Sequence, residues 1–250
     1  MLRQAMFGLV LLASCTGVAA DEHAAAGQHW AAVLEKFVDA QGRVAFRALA
    51  QDRGDLDKFI DYLAHVSPTS APVQFDTPAR TMAYHINAYN ALAMHGVIEE
   101  GIPTDFDGFF KRAGFFKFRQ VIIGGKKTSL YDYENKVIRP LDEPRVHFAL
   151  NCMVRDCPRL PRKPFMAGEL DGQLQAATVE FFAKDKHLRI ENDKREVLVS
   201  EILRFYTKDF VPSNKRQDLI AYINQYRADA VPEDYKVRFI PYDWTINSQP

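Results

Sequence analysis

The chain is 250 residues long, 47% hydrophobic and 12% aromatic, and its 32 basic residues balance 32 acidic ones. That balance argues against a nucleic-acid or membrane-surface partner as its main business. Eighteen phenylalanines and ten tyrosines exclude a disordered chain, and no internal repeat or low-complexity linker divides the sequence, so one globular domain over residues 21–250 is expected.

The first residues, MLRQAMFGLVLLASCTGVAADEH, join one basic residue, Arg3, to an apolar run from Ala5 to Ala13 and small residues up to Ala20. This is the pattern of a secretory signal peptide over residues 1–20. Two processing sites compete. Val18-Ala19-Ala20 before Asp21 suits ordinary cleavage, whereas Leu12-Ala13-Ser14-Cys15 has the form of a bacterial lipoprotein signal and would place a lipid anchor on Cys15. Either route implies a periplasmic or secreted protein. The apolar run is too short for a transmembrane helix, and no other stretch approaches the ~20 apolar residues that a span needs. Cys152 and Cys157 are then the thiols left in the mature chain, and an even count in an oxidising compartment favours a Cys152–Cys157 disulfide.

Helices alternate with short strands along the rest of the sequence. Gln28–Val38 carries Trp30, Val33, Leu34, Phe37 and Val38 at helical spacing, and Gly42 breaks the pattern. Asp55–Val66 repeats it with Leu56, Phe59, Ile60 and Leu63. Residues 78–100 are apolar on most sides, which marks a buried central helix whose polar His85, Asn87 and Asn90 must find partners inside. Phe118–Ile123, Gly124-Gly125 and Lys126–Ser129 read as a β-hairpin. Ser129 with Asp132 resembles a capping box opening a helix to Arg139, which Pro140 stops. Val146–Leu150 is expected as a buried strand that delivers Asn151 and Cys152 to its end. Helices are expected at 168–183, 200–210 and 217–226, with strands at 188–190, 197–199 and 236–240. The fold class expected is α+β: a helix-rich mixed domain around a small, mostly antiparallel sheet and a buried central helix.

The stretch VHFALNCMVRDCPRL, Val146–Leu160, concentrates the residue types of thiol chemistry. A thiolate nucleophile needs a base and a group that holds the base's tautomer. On an extended strand His147 and Cys152 would lie roughly 16 Å apart, but a turn after Asn151, helped by Pro158, would bring Cys157 back toward His147. Asn87 and Asn90, three apart on one helical face, could bond each other, a backbone carbonyl or the imidazole. His85 and His95 are almost three turns apart, and no usual zinc spacing involves His147, Glu134, Cys152 and Cys157, so no metal and no cofactor is expected. Four residues between the cysteines exclude the thioredoxin spacing, and no phosphate loop or nucleophile-elbow serine is present. Beside the cysteines, Arg155, Arg159, Arg162 and Lys163 form a basic cluster that would lower a thiol pKa, draw an anion, or simply face solvent.

Three separated strings, Ile86-Asn87-Ala88-Tyr89-Asn90-Ala91-Leu92, then Arg145-Val146-His147-Phe148-Ala149-Leu150-Asn151-Cys152 with Cys157-Pro158, then Tyr242-Asp243-Trp244 with Asn247, resemble the family called domain of unknown function 547. Gly42-Arg43-Val44 extends the resemblance toward the start of the mature chain. The resemblance implies a secreted or envelope protein in which Asn87, Tyr89, Asn90, Glu134, Arg139, His147, Cys157 and Asp243 occupy motif positions. Asn135 departs from the pattern, which carries a histidine after the glutamate, so His147 is left as the motif histidine. His85 and His95 fall where the pattern is apolar or variable.

Two readings follow. In one, a thiol-dependent hydrolase or acyl/amide transferase uses Cys157 as nucleophile, His147 as base and Asn87 or Asn90 to orient it, with Tyr89, Glu134, Arg139, Arg145 and Asp243 around the substrate. In the other, a noncatalytic envelope module is closed by the Cys152–Cys157 disulfide and binds a ligand or partner of unknown identity. The oligomeric state is left open.

Overall fold

The computed structural model describes residues 11–250, with side chains from His23 onward. The side chains of the expected leader, its two processing sites and the Cys15 thiol therefore lie outside the described residues. The fold is α+β and helix-rich, with two small sheets. No helix among the described residues is long and apolar enough to cross a membrane.

Helix α1 (Leu11–Phe37) packs on α3 (Gly54–His65), where Trp30 stacks on Phe59 at 5.6 Å between ring centroids; the short α2 (Phe46–Gln51) joins them. Of the apolar stripe expected on α3, Leu56, Phe59 and Leu63 are buried, joined by Tyr62, while Ile60 is half-buried at its edge. Helix α4 (Pro78–Glu99) is the buried central helix. Pro78 fits its first turn and Thr77 accepts the Arg80 N–H, so the start is capped by local chemistry while nearly every side chain from Met82 to Ile98 is buried.

The hairpin forms as expected. Strands β1 (Val121–Ile123) and β2 (Lys126–Thr128) pair antiparallel, with Gly124 and Gly125 at φ 55° and 76°, the left-handed region that a two-residue primed turn requires. A short helix α5 (Phe109–Arg112) and a wide π-turn over Ala113–Phe118 precede the hairpin. After it, Ser129 accepts the Asp132 N–H and opens α6 (Leu130–Tyr133), but the expected helix to Arg139 is corrected: the chain widens into a π-turn over Glu134–Ile138 and tightens to a 3-10 turn over Arg139–Leu141. That change of winding buries Glu134, and π-turns of this kind recur at functional sites.

The strand expected at Val146–Leu150 is a second correction. Pro144 to Phe148 is a 3-10 helix, with Pro144 at its start and the Glu143 side chain accepting the Arg145 N–H. A short apolar run cannot by periodicity tell a strand from a buried helical turn, and the proline decides here.

Helix α7 (Leu170–Phe182) leads to β3 (Leu188–Glu191) and β4 (Glu196–Ser200), which pair antiparallel. The helix expected over 200–210 breaks at Tyr206 into α8 (Glu201–Phe205) and α9 (Thr207–Phe210). After α10 (Leu219–Asn224), β5 (Lys236–Ile240) returns parallel to β4.

Two hydrophobic clusters result. One gathers around α4, the other around the three-stranded sheet and α7 to α10. The Pro144–Phe148 turn straddles them, since Val146 belongs to the first and Phe148 to the second. The C-terminal strip stitches onto the first cluster: Arg155 N–H donates to Thr245 O, Asn247 N–H to Met153 O, and Val44 N–H to Asn247 O, each at 2.9 Å. Gly42, at φ 79°, lies so close to this region that a Cβ would meet Leu160 N at 2.7 Å.

His85 bonds the Tyr133 hydroxyl at 2.6 Å inside the core, and burial holds its pKa down to about 4. Its folded pKa lies below the unfolded value, so its contribution to stability is present above pH ~6.5 and is lost as pH falls through about 4. Between pH 7.5 and 4.5 this one group removes about 2–3 kcal/mol. Urea unfolding of His85→Gln should show an acid-induced loss smaller than that of the wild type by that amount; equal losses would assign the acid sensitivity elsewhere.

Candidate active site

The loop from Ala149 to Cys157 is held from inside the core. Asn90, fully buried on α4, donates to Ala149 O at 3.0 Å and accepts the Asn151 N–H at 2.7 Å. Asn151 donates to Pro158 O and accepts the Met153 N–H, at 2.7 and 2.8 Å, so its side chain closes the loop on itself. One turn away, Asn87 accepts from Trp30 Nε1 and Phe165 N and donates to Phe165 O. Both α4 asparagines thus bond backbone, as buried amides must, and neither orients His147.

The loop presents its two sulfurs to each other. The sulfurs of Cys152 and Cys157, the pair expected as a disulfide, lie 2.6 Å apart, longer than the ~2.05 Å of an S–S bond and shorter than the contact of two unbonded sulfurs. Cys157 Sγ accepts the Cys152 N–H at 3.1 Å and the Tyr242 hydroxyl at 3.4 Å. Burial pushes the Cys157 thiol up, but hydrogen bonds from the Cys152 thiol, the Tyr242 hydroxyl and the backbone of Val154 and Cys152 outweigh it and bring it below the ordinary cysteine value. Cys152, as donor to Cys157 and itself desolvated, is pushed well up. Cys157 is therefore the sulfur that ionises first. Tyr242, buried beside both sulfurs, is also pushed well up and keeps its proton.

His147 projects from the 3-10 turn, stacked on Tyr206 at 3.9 Å between centroids. Its Nε2 bonds Asp209 Oδ2 at 2.8 Å, while Asp209 receives both Nε and Nη2 of Arg139, at 2.6 and 2.7 Å. Burial pushes the Asp209 carboxyl up, but the bonds from Arg139 and His147 dominate and hold it well below the usual carboxylate range. Arg139 also donates to Asn135 Oδ1. An ionised carboxylate on Nε2 fixes the tautomer with hydrogen on that nitrogen and leaves Nδ1 as the basic one.

These groups meet in a cavity of about 60 Å³ at the seam of the two clusters, walled by Tyr89, Glu134, His147, Cys152, Cys157 and Tyr242 among others. The Tyr89 hydroxyl donates to Glu134 Oε2 at 3.2 Å, and the Glu134 charge joins burial in pushing the Tyr206 hydroxyl well up. Tyr89, Glu134, Cys152, Tyr206 and Trp244 also wall a cleft of about 270 Å³ whose outer side is Phe109, Arg112, Lys117 and Tyr131. Arg112 lies over Trp244 at 4.7 Å and Lys117 over Tyr131 at 4.4 Å.

Of the residues expected at the site, Cys157, His147, Cys152, Tyr89 and Glu134 share this cavity, and Arg139 supports it through Asp209. Arg145 does not reach it: Glu143 grips its guanidinium at 2.9 and 2.7 Å, Asp171 adds a contact at 2.8 Å, and all three line a separate cleft. The Asp243 carboxylate accepts the Thr245 N–H at 2.9 Å and lies outside the small cavity, in a neighbouring groove that Asp156 and Cys157 also line. Its neighbour Tyr242 is the residue of that string that touches sulfur. The basic cluster divides likewise: Arg159 pairs with Glu180 at 2.6 Å and Arg162 with Glu35 O. Asp209 and Tyr206 carry no local signature; Asp209 comes to His147 across 62 positions. No group of three or more histidine, cysteine or acidic side chains placed to hold a metal ion occurs among the described residues.

A family model described as "Protein of unknown function, DUF547" matches residues 74–182. That segment belongs to the family. It contains α4, Glu134, Arg139, His147 and both cysteines, while Tyr206, Asp209 and Tyr242 come from beyond it. No curated protein and no solved structure matches the chain.

Asn90→Ala would strip two buried backbone groups of their partners, and each such loss costs about 1–3 kcal/mol. Urea unfolding of this variant should show a loss of about 2–6 kcal/mol; less than 1 kcal/mol would mean that the loop keeps its shape without the clamp.

Proposed function

We propose that the protein is a thiol-dependent hydrolase or acyl/amide transferase with Cys157 as nucleophile. The observation that carries this reading is the chain Arg139–Asp209–His147, which ends on the same cavity as a cysteine whose thiol is brought below its ordinary pKa. Asp209, rather than Asn87 or Asn90, is the orienting third member.

In this mechanism His147 Nδ1 takes the Cys157 proton, and the thiolate attacks the carbonyl carbon of an ester, thioester or amide. The Tyr242 hydroxyl, still protonated and already beside the sulfur, is placed to donate to the developing oxyanion. Collapse expels the leaving group with the proton from His147, giving a Cys157 acyl thioester that water or an amine resolves. The cleft walled by Phe109, Phe116, Tyr131 and Trp244 would hold the apolar part of the acyl donor. The leader pattern of residues 1–20 suggests that this chemistry takes place in the periplasm or outside the cell.

A second reading is favoured by the 2.6 Å separation of the sulfurs. Disulfide exchange with an oxidised dithiol partner would close Cys152 on Cys157, consume the nucleophile and leave a binding module.

Incubation of the reduced protein with a nitrophenyl ester, followed by peptide mass analysis, should find one acyl adduct, on Cys157. His147→Asn should slow acylation by roughly 10²–10⁴-fold, and Asp209→Asn should also slow it. An acylation rate indifferent to His147→Asn would remove the base from the mechanism. Absence of any adduct from the reduced protein would favour the binding module.

A further inference from the structure

The segment Gly108–Phe118 exposes more apolar surface than water ordinarily tolerates. Phe109, Phe110 and Phe118 are 68%, 88% and 74% exposed, and the first two touch each other at 5.6 Å between centroids. Single exposed apolar side chains are common on folded proteins, but three nearly bare rings in one short segment mark a surface that something covers.

The charge carried by the same stretch of chain says what. Residues 105–131 hold six basic and two acidic side chains, a net of +4, in a chain whose net charge is zero. Lys111 is taken by Asp105 at 2.7 Å, and Arg119 faces Glu100 at 3.5 Å. Lys117, Lys126 and Lys127 have no carboxylate partner among the described residues, and Asp107 is the acid of this stretch without a cation. Lys126 and Lys127 stand exposed on β2, and Ile122, directly across from Lys127, is itself 44% exposed. A second copy of this chain would bring the same positive surface against itself. An anionic phospholipid surface offers both partners at once, an apolar layer for the rings and phosphates for the ammonium groups.

We propose that Gly108–Phe118 and the β1–β2 hairpin dock on an anionic phospholipid membrane, with Phe109 and Phe110 entering the acyl boundary and Lys117, Lys126 and Lys127 meeting the phosphates. The overall charge balance, which argues against a membrane partner for the whole chain, conceals this local excess. Phe109 and Lys117 also wall the cleft that reaches Cys152, so docking brings the cleft beside the membrane. That last consequence, delivery of an acyl group from the membrane to the cleft, rests on the thiol-enzyme reading; the docking does not.

The test is sedimentation of the purified protein with vesicles of phosphatidylcholine alone and of equal parts phosphatidylcholine and phosphatidylglycerol, at low and high salt. The expected result is binding to the mixed vesicles that weakens with salt, and that falls at least tenfold in Phe109→Ser/Phe110→Ser and in Lys126→Glu/Lys127→Glu. Circular dichroism checks the fold of each variant, and any binding by the leader is common to all of them. Phe110→Trp provides an independent readout: its added emission should shift to the blue with the mixed vesicles. No vesicle binding, binding indifferent to both double substitutions, an emission that does not shift, or phenylalanine-dependent self-association without vesicle binding would each overturn the proposal. None of these readouts involves acylation, so failure here and failure of the thiol chemistry are separate results.

Discussion

Asn90 sits in the middle of the central helix with hydrophobic neighbours on nearly every side, and it answers one carbonyl and one N–H of the segment that passes over it. A buried amide in such surroundings is costly unless it is fully bonded, so these two bonds fix the register of Ala149 and Asn151 on α4. From there Asn151 folds the loop back to Pro158, which brings two cysteines five positions apart into contact. The 3-10 turn immediately before the loop places His147 over the same cavity. The site is thus a consequence of where α4 carries its polar residues.

The second organising feature is electrostatic. Asp209 is shared by a guanidinium and an imidazole, and Glu134 accepts the Tyr89 hydroxyl, so each of these carboxylates at the seam meets a fixed donor. Cys157 is the exception in kind: three donors converge on a neutral atom that is a poor acceptor until it loses its proton. Such convergence stabilises the thiolate in a cavity where burial alone would suppress it. The surrounding tyrosines, pushed toward the protonated form, remain donors throughout.

Much of this was legible in the sequence where a local rule applied. The all-round apolar pattern marked α4 as buried, two glycines marked the hairpin turn, and Ser129 with Asp132 marked a helix start. The asparagines of an apolar helix need internal partners, but a single face of one helix does not tell whether the partner is an imidazole or a backbone carbonyl. His147 and Cys157 stood out by residue type. Asp209 and Tyr206 did not, because they reach the site through a break between two short helices that a continuous pattern over 200–210 conceals. The 3-10 turn at Pro144 differs from the expected strand because five apolar-rich residues fit either shape, and the π-turn at Glu134 has no sequence period of its own. Tyr242 stands next to Asp243 in the chain, and only the packing shows which of the two meets sulfur.

The central claim is that Cys157 is a free thiol activated by its hydrogen bonds. The pH profile of iodoacetamide labelling, resolved by peptide mass on protein purified without reductant, tests it most directly. The account predicts that Cys157 labels before Cys152, with half-maximal rate below the ~8.5 of an ordinary cysteine, and that Tyr242→Phe moves that midpoint upward. No label until reductant is added, or two cysteines labelling together with an ordinary midpoint, would contradict it.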